Sequence, residues 1–523
     1  MNDAFLLAAP VVLPIAAGLL LLTGRDRPGW QRGGLVAATG ANLLAAAALA
    51  APVLGGGRVL AVAFGGWSAP VGIAFHADAL SATMVLVSAA VAFAGAVYAS
   101  AEIGRSLWRR RYAFFYLLLL AGIAGAFLTA DLFNLFVWFE TMLMSSFAMM
   151  ALGRRRRTRR EATVYVAINV VSSFFFLSAL GILYGKAGSL NLADLAGRLA
   201  AEGGDALVLT SAALLLLAFG IKAGAFPLFF WLPDSYPQTG YATSAVFGGL
   251  LTKVGVYAIF RVFGGTFAAL GDTLGPVLLA AAAATMVAGV LGAASRHQVR
   301  EILSWHIVSQ IGYLLLGFAL FTEAGLAAAV FYTVHHIFVK ANLFFAAGLV
   351  ARAGGSERLA SLGGLLRERP LLALLFAVPA LSLGGIPPLS GFFAKFFVVR
   401  ECFRSGEWVW AAVALAVGVL TLFSMTKIWA EAFWKNPVRP SPRRAPLPPA
   451  QLGAVLALGL VTVWIGLAPG ALHRISLAAA EQVYAQRQPD RALAESSGDL
   501  ASDQDADDGK VLPRIRAVSP ELP

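Results

Sequence analysis

Along the 523 residues, apolar runs of membrane-crossing length alternate with short polar joints that hold most of the charge. Fourteen runs are long enough to cross a hydrocarbon core of about 30 Å as helices. They are residues 4–23, 33–54, 78–100, 112–130, 131–152, 162–186, 207–231, 240–264, 273–294, 302–321, 324–351, 371–397, 408–433 and 451–472. The joints at 130/131 and 321/324 are almost absent. Basic Arg25 and Arg27 follow the first run rather than precede it, so that run reads as a helix and not as a signal peptide. The pattern predicts an all-α integral membrane protein of about 14 transmembrane helices.

Two runs are faulty as membrane spans. "LLLLAFGIKAGAFPLFFWLPD" (214–234) holds Lys222 and Pro227. A charge near the bilayer centre costs roughly 2.5–3.5 kcal/mol on insertion scales, and proline removes a backbone donor. "GIPPLSGFFAKF" (385–396) repeats the fault with Pro387, Pro388 and Lys395. Laid together, the seventh and twelfth helices align at these breaks, and each is followed by a full-length helix. Two five-helix repeats are predicted, helices 4–8 and 9–13, with helices 7 and 12 broken. In transporters such repeats are commonly inverted, and their broken helices line a polar site at mid-depth. The expected organisation is a three-helix segment (1–111), a first repeat (112–264), a second repeat (265–433), a loop with the last helix (434–475) and a disordered polar tail (476–523) containing "SSGDLASDQDADDGK".

Composition excludes a folded monomer in water: 59% of residues are hydrophobic and 13% charged, with a mean hydropathy of +0.76. The net charge of +12 is a topology signal. Loops after odd-numbered helices hold 23 Lys and Arg residues, among them Arg25, Arg105, Arg154 to Arg157, Arg300 and Arg443, against five in loops after even-numbered helices. This places the odd loops in the cytoplasm and both termini on the outer side of the inner (plasma) membrane. It also makes "GRRRRTRR" a topology marker rather than a nucleic-acid site. The single Cys402 cannot form an internal disulfide, an iron–sulfur cluster or a structural zinc site, and no nucleotide-binding glycine motif occurs. No cofactor or metal is expected, so the driving force comes from an ion gradient or a partner.

The ionisable residues inside the helices carry the candidate chemistry. Glu140 lies in "LFVWFETMLMSSF", Lys222 and Lys395 in the broken helices, Lys253 in "GGLLTKVGVYAIF", and His335, His336 and Lys340 in "FYTVHHIFVKANLFF"; His306 lies one helix earlier. Asn169, Ser172 and Ser173 add a polar stripe on the sixth helix. Taken singly, a lysine near a helix end can snorkel, a histidine can be a satisfied buried partner, and Glu140 with Lys222 can be a structural ion pair. Together, one carboxylate, four lysines and the adjacent histidines form a chain of titratable groups. Moving the carboxylate charge beside a buried lysine loads or unloads its proton. That is a proton relay with a switch at one end.

"DLFNLFVWFETMLMSSF", "FGIKAGAFPLFFWLPDSYPQTGYATSAVFGGLLTKVGVYAIFRVF", "SQIGYLLLG", "HHIFVKANLFFAAG" and "GGIPPLSGFFAKF" resemble the antiporter-like family, which joins the Mrp monovalent cation/proton antiporters to the proton-pumping subunits of respiratory complex I; the Mrp branch reads closest. The likeness covers about residues 5–472. It implies that Glu140 and Lys222 are the paired fifth- and seventh-helix residues, Lys253 and Lys395 the eighth- and twelfth-helix lysines, and Lys340 with His335 and His336 the connecting group of a hydrated central axis. Where the family often has a histidine after the broken helix, this chain has Asp234, a candidate for proton access, with His306 as an accessory group. Two readings stand: a proton-translocating subunit of a multi-subunit Na+ or K+/proton antiporter, or the same module in a redox-driven complex I-like or hydrogenase complex. Both make the chain a transport subunit rather than an enzyme in its own right, with other membrane subunits as partners. One carboxylate against four lysines suits protons and leaves Na+ or K+ to a partner.

Overall fold

The computed structural model describes residues 2–24, 26–65, 67, 72–153, 156–199, 204–437 and 446–485. Arg25, Arg154, Arg155, Arg443 and the tail from 486 onward, all used in the sequence reading, lie outside the described residues. The elements run α1 (Asp3–Leu22), α2 (Pro28–Ala50), β1 (Leu60–Ala63), β2 (Ala74–Ala77), α3 (Ala79–Glu102), α4 (Arg105–Arg109), α5 (Tyr112–Leu128), α6 (Leu132–Ala151), α7 (Arg156–Ala187), α8 (Leu192–Leu199), α9 (Ala206–Ala223), α10 (Trp231–Ser235) and α11 (Tyr241–Val246). They continue with α12 (Thr252–Arg261), α13 (Gly271–Ser295), α14 (Val299–Ala319), α15 (Glu323–Gly354), α16 (Leu365–Glu368), α17 (Pro370–Gly384), α18 (Ser390–Arg404), α19 (Trp408–Trp429), α20 (Pro449–Leu467) and α21 (Pro469–Ala485). The chain is a nearly all-helical, multi-pass integral membrane protein. Among the described residues, twelve helices are long and apolar enough to cross a membrane, and Tyr112–Leu128 and Pro370–Gly384 are shorter apolar helices.

Polar caps set the helix starts, because the first backbone N–H groups of a helix have no partner within it. Asp131 accepts from the Asn134 N–H at 2.7 Å and opens α6; Thr322 accepts from the Gly325 N–H at 3.0 Å and opens α15. These caps sit at the two joints with almost no polar sequence. The antiparallel pair β1–β2, with Leu60 opposite Ala77, leads into Asp78, which caps α3 in a reciprocal box with Ser81. α21 extends helical structure through Ser476 to Ala485, past the point where the sequence suggests a disordered tail, and Gln482 accepts from the Ala79 N–H at 2.7 Å.

Burial orders the bundle. In its most apolar window, the span Tyr241–Thr266 is entirely covered by protein, whereas Arg156–Ala187 is covered over a third of its window. α3, α12, α14 and α15 thus form the centre of the described bundle, and α1, α2, α7 and α19 its outer rim. Within a membrane, helices associate by close packing rather than by the hydrophobic effect, so small residues mark the crossings. α12 crosses α9 at Gly255, where an added Cβ would stand 2.6 Å from the Ala223 nitrogen and 2.9 Å from the Lys222 carbonyl carbon. Backbone cannot yield as a flexible side chain can. Gly255→Val is expected to destabilise the fold by about 1–3 kcal/mol, read as a lower unfolding midpoint of the detergent-purified protein. Gly181→Ala, in open space inside α7, should not lower the midpoint.

Both breaks have the same local build. α9 ends on Gly224 (φ 76°), with the Ala225 N–H bonded back to the Gly220 carbonyl; α17 ends on Gly385 (φ 89°), with the Ile386 N–H bonded back to the Leu381 carbonyl. Left-handed backbone at the last position favours glycine and closes the helix end. Pro227 and Pro388 each follow three residues after the glycine, so the chain cannot resume the same helix.

Candidate functional site

Lys222 occupies the last turn of α9 and Glu140 the middle of α6. The Glu140 carboxylate lies 3.9 Å from the Lys222 ammonium, an ion pair without a hydrogen bond, and Ser173 of α7 donates to the same carboxylate oxygen. The Lys222 side chain is 6% exposed and that of Glu140 31%. Glu140 shares its helix face with exposed Phe133, Val137 and Met144, so the carboxylate reaches the flank of the bundle while the amine is sealed inside. Ser172 donates to the Ala218 carbonyl at 2.9 Å and fixes α7 against α9. Beside Lys222 is a cavity of about 20 Å³, lined among others by Tyr165, Asn169 and Tyr236. One water needs roughly 10–15 Å³ measured in this way. The Lys222 Nζ and the Tyr236 hydroxyl, both without a hydrogen-bond partner, border it.

A second group lies at the centre. A π-helical segment, Phe247–Leu251, precedes α12, and the Lys253 ammonium donates to the Gly248 carbonyl at 2.6 Å and to the Thr252 hydroxyl at 3.2 Å. His336 and Lys340, four residues apart on α15, share a face. His336 and Lys340 lie within electrostatic reach of Lys253 and of each other, and His306 of α14 lies within reach of His336, Lys340 and Lys395. Lys253, His306, His336 and Lys340 are fully buried, and the Lys340 Nζ and both ring nitrogens of His306 and His336 have no hydrogen-bond partner.

His335 turns the other way. Its Nδ1 lies 2.8 Å from the Ser390 hydroxyl at the start of α18, and Ser390 lies 3.0 Å from the Ser382 hydroxyl at the end of α17. Lys395, one turn further on, folds back across the break and donates to the Gly384 carbonyl at 3.0 Å, 5.5 Å over the Tyr313 ring. Tyr313 stacks on Tyr332, whose ring meets His335. Asp234 is exposed on α10, between Trp231 and Tyr236, which line the Lys222 cavity.

Sequence reasoning passes over Ser382, Ser390 and Tyr236, whose residue types carry no signal by themselves. It also passes over a buried pair on the same side as the hairpin: Arg261 donates to both Asp78 carboxylate oxygens at 2.5 and 2.7 Å, and to the Tyr257 hydroxyl. An arginine inside the apolar "YAIFRVF" is the signal for it.

A multi-pass protein that keeps a carboxylate, four amines and three imidazoles inside an apolar bundle, with two helices broken beside them, has the make-up of a membrane ion-transport protein. Residues 129–423 match the family described as NADH:quinone oxidoreductase/Mrp antiporter, transmembrane. The chain belongs to that family. It is 40% identical over 485 residues to the Na(+)/H(+) antiporter D subunit of Alkalihalophilus pseudofirmus, covering 92% of this chain and 97% of that one. Among solved structures, a chain of the Mrp complex from Dietzia sp. DQ12-45-1b aligns with a TM-score of 0.84 at 34% identity, covering 92% and 97% of the two chains. A chain of the membrane-bound sulfane sulfur reductase, an archaeal respiratory membrane complex, aligns with a TM-score of 0.83 at 25% identity, covering 92% and 98%.

Proposed function

We propose that this chain is the proton-translocating membrane subunit of a multi-subunit Na+ or K+/proton antiporter, seated in the plasma membrane with both termini outside. Protons move along Glu140, Lys222, Lys253, His336, Lys340, His335 and Lys395, with His306 as an accessory group and Asp234 at the access side. The two five-helix units, 112–264 and 265–433, each supply one broken helix. The observation that carries the reading is the Glu140–Lys222 pair at the end of α9, in a member of a family that includes Na(+)/H(+) antiporter subunits. The unpartnered amines and imidazoles support it as well. Buried polar groups are almost always hydrogen-bonded, and water that satisfies these nitrogens also joins them into a conducting line.

The cation half of the exchange belongs to a partner. Na+ and K+ favour oxygen ligands, and the buried line offers one carboxylate beside four lysines. Partner subunits also cover the flank that Glu140 reaches. The assembled complex in liposomes is expected to show Na+- or K+-dependent proton exchange, measured with an internal pH dye, and the isolated chain none. Robust exchange by the isolated chain would overturn the division of labour. Proton movement that requires an electron donor and ignores the cation gradient would instead favour the redox-driven reading suggested by the likeness to the respiratory complex.

A further inference from the structure

Ser382 and Ser390 are buried and lie on opposite sides of the second break. Gly391, in the first turn of α18, donates its N–H to the Ser382 hydroxyl oxygen at 3.1 Å. A hydroxyl has a single proton to give. The Gly391 N–H takes one of the two Ser382 lone pairs, and one order gives each hydroxyl proton an acceptor among the described residues: Ser382 to Ser390 across 3.0 Å, and Ser390 to the His335 Nδ1 across 2.8 Å. Neither hydroxyl has another hydrogen-bond partner among the described residues.

From this geometry we infer that Ser382 and Ser390 are positioning residues that hold His335 as the tautomer with its proton on Nε2, and that they do so only while the break between α17 and α18 is closed. The inference rests on the relay reading and adds to it a mechanical input. The line starts on α18, crosses to α17, returns to α18 and ends on α15. Separating the two halves of the broken helix cuts it at the Ser382–Ser390 bond and at the Gly391–Ser382 bond. Ser390 stays beside His335 but is no longer held as the donor, so its hydroxyl can turn to accept; the Nδ1 of His335 is then free to take a proton, and one imidazole can accept at Nδ1 and release at Nε2. Tight apposition keeps the closed form well defined. A Cβ on Gly391 would fall 1.7 Å from the Ser382 carbonyl oxygen and 3.0 Å from the His335 Cε1, so no side chain fits between the halves. Lys395 of α18 and His336 of α15 are titratable groups within electrostatic reach of His335.

The test is cation-dependent proton exchange by the assembled complex in everted vesicles, normalised to the amount of assembled chain. His335→Ala and Ser390→Ala are each expected to lower the initial rate at least tenfold, and the double variant no further than His335→Ala. Ser390→Thr, which keeps the hydroxyl, should stay within threefold of the unaltered complex. A loss of less than threefold in Ser390→Ala, with His335→Ala inactive, removes the serine line and leaves the relay standing. Equal loss in Ser390→Ala and Ser390→Thr reduces Ser390 to packing and overturns the inference. Undiminished exchange in His335→Ala takes down the relay reading at this position, and the inference with it.

Discussion

Glu140→Gln is expected to abolish cation-dependent proton exchange in the assembled complex, a loss of about two orders of magnitude or more in initial rate, while leaving the chain in the membrane. The glutamine retains the shape and an oxygen for the Ser173 hydroxyl, so packing on α7 survives. What disappears is the charge 3.9 Å from Lys222, whose amine has no hydrogen bond to fall back on. A nearby carboxylate favours the charged amine, whereas burial disfavours it. On the proposed relay, Lys222 without Glu140 loses the switch between its two states. Lys222→Ala should fail equally, and the double variant should be no worse than either single one, because the two side chains act as one unit. Everted-vesicle assays with a pH-sensitive dye read all three. Losses that multiply would show two independent roles, and near-normal exchange in either single variant would remove the pair from the mechanism.

The second large effect concerns stability. Asp78 and Arg261 are 1% and 4% exposed and bonded through two short contacts. Removing one partner strands the other as a buried charge, at a cost of about 3–5 kcal/mol, whereas replacing both with apolar groups of similar volume often costs little. Arg261→Met and Asp78→Leu should each sharply lower the unfolding midpoint and the amount of assembled protein, and the double variant should recover most of the loss. A double variant as unstable as the two losses combined would show that each residue has other work. Burial pushes the Asp78 carboxyl up, but the Arg261 guanidinium outweighs it and holds the group below the usual carboxylate range. A depressed folded value contributes stability that is complete above the unfolded value of about 3.9 and is lost only as pH falls toward the folded one. The stability contributed by this pair should therefore be flat from neutrality down to mild acid, as read from the unfolding midpoint against pH.

What is legible in the sequence follows length and cost. A run of twenty apolar residues can do little but span a membrane, and a lysine within one is too costly to be incidental, so the helices, both breaks and all four lysines stand out. The joints at Asp131 and Thr322 are less visible, because a single capping side chain does the work of a loop. The fate of His335 and His336 is not legible at all. They are neighbours in sequence, yet consecutive helical positions point about 100° apart, so one meets Ser390 on α18 and the other joins Lys340 and Lys253 at the centre. α21 escapes notice for a related reason: its buried Leu472, Ala479, Ala480 and Val483 are diluted by His473, Arg474, Glu481 and Gln482.

One asymmetry between the halves has an electrostatic consequence. Lys222 precedes its break and Lys395 follows its own, yet both ammonium groups finish at the carboxyl-terminal end of the half-helix before the break, Lys222 by position and Lys395 by folding back onto the Gly384 carbonyl. That end of a helix carries a partial negative charge made by its unpaired carbonyls. Lys222 has Glu140 as well; Lys395 has the dipole, the carbonyl and the face of the Tyr313 ring. A carboxylate can be neutralised, but a row of peptide carbonyls cannot take up a proton. The first half of the molecule therefore has a counter-charge that can be switched, and the second half one that is permanent.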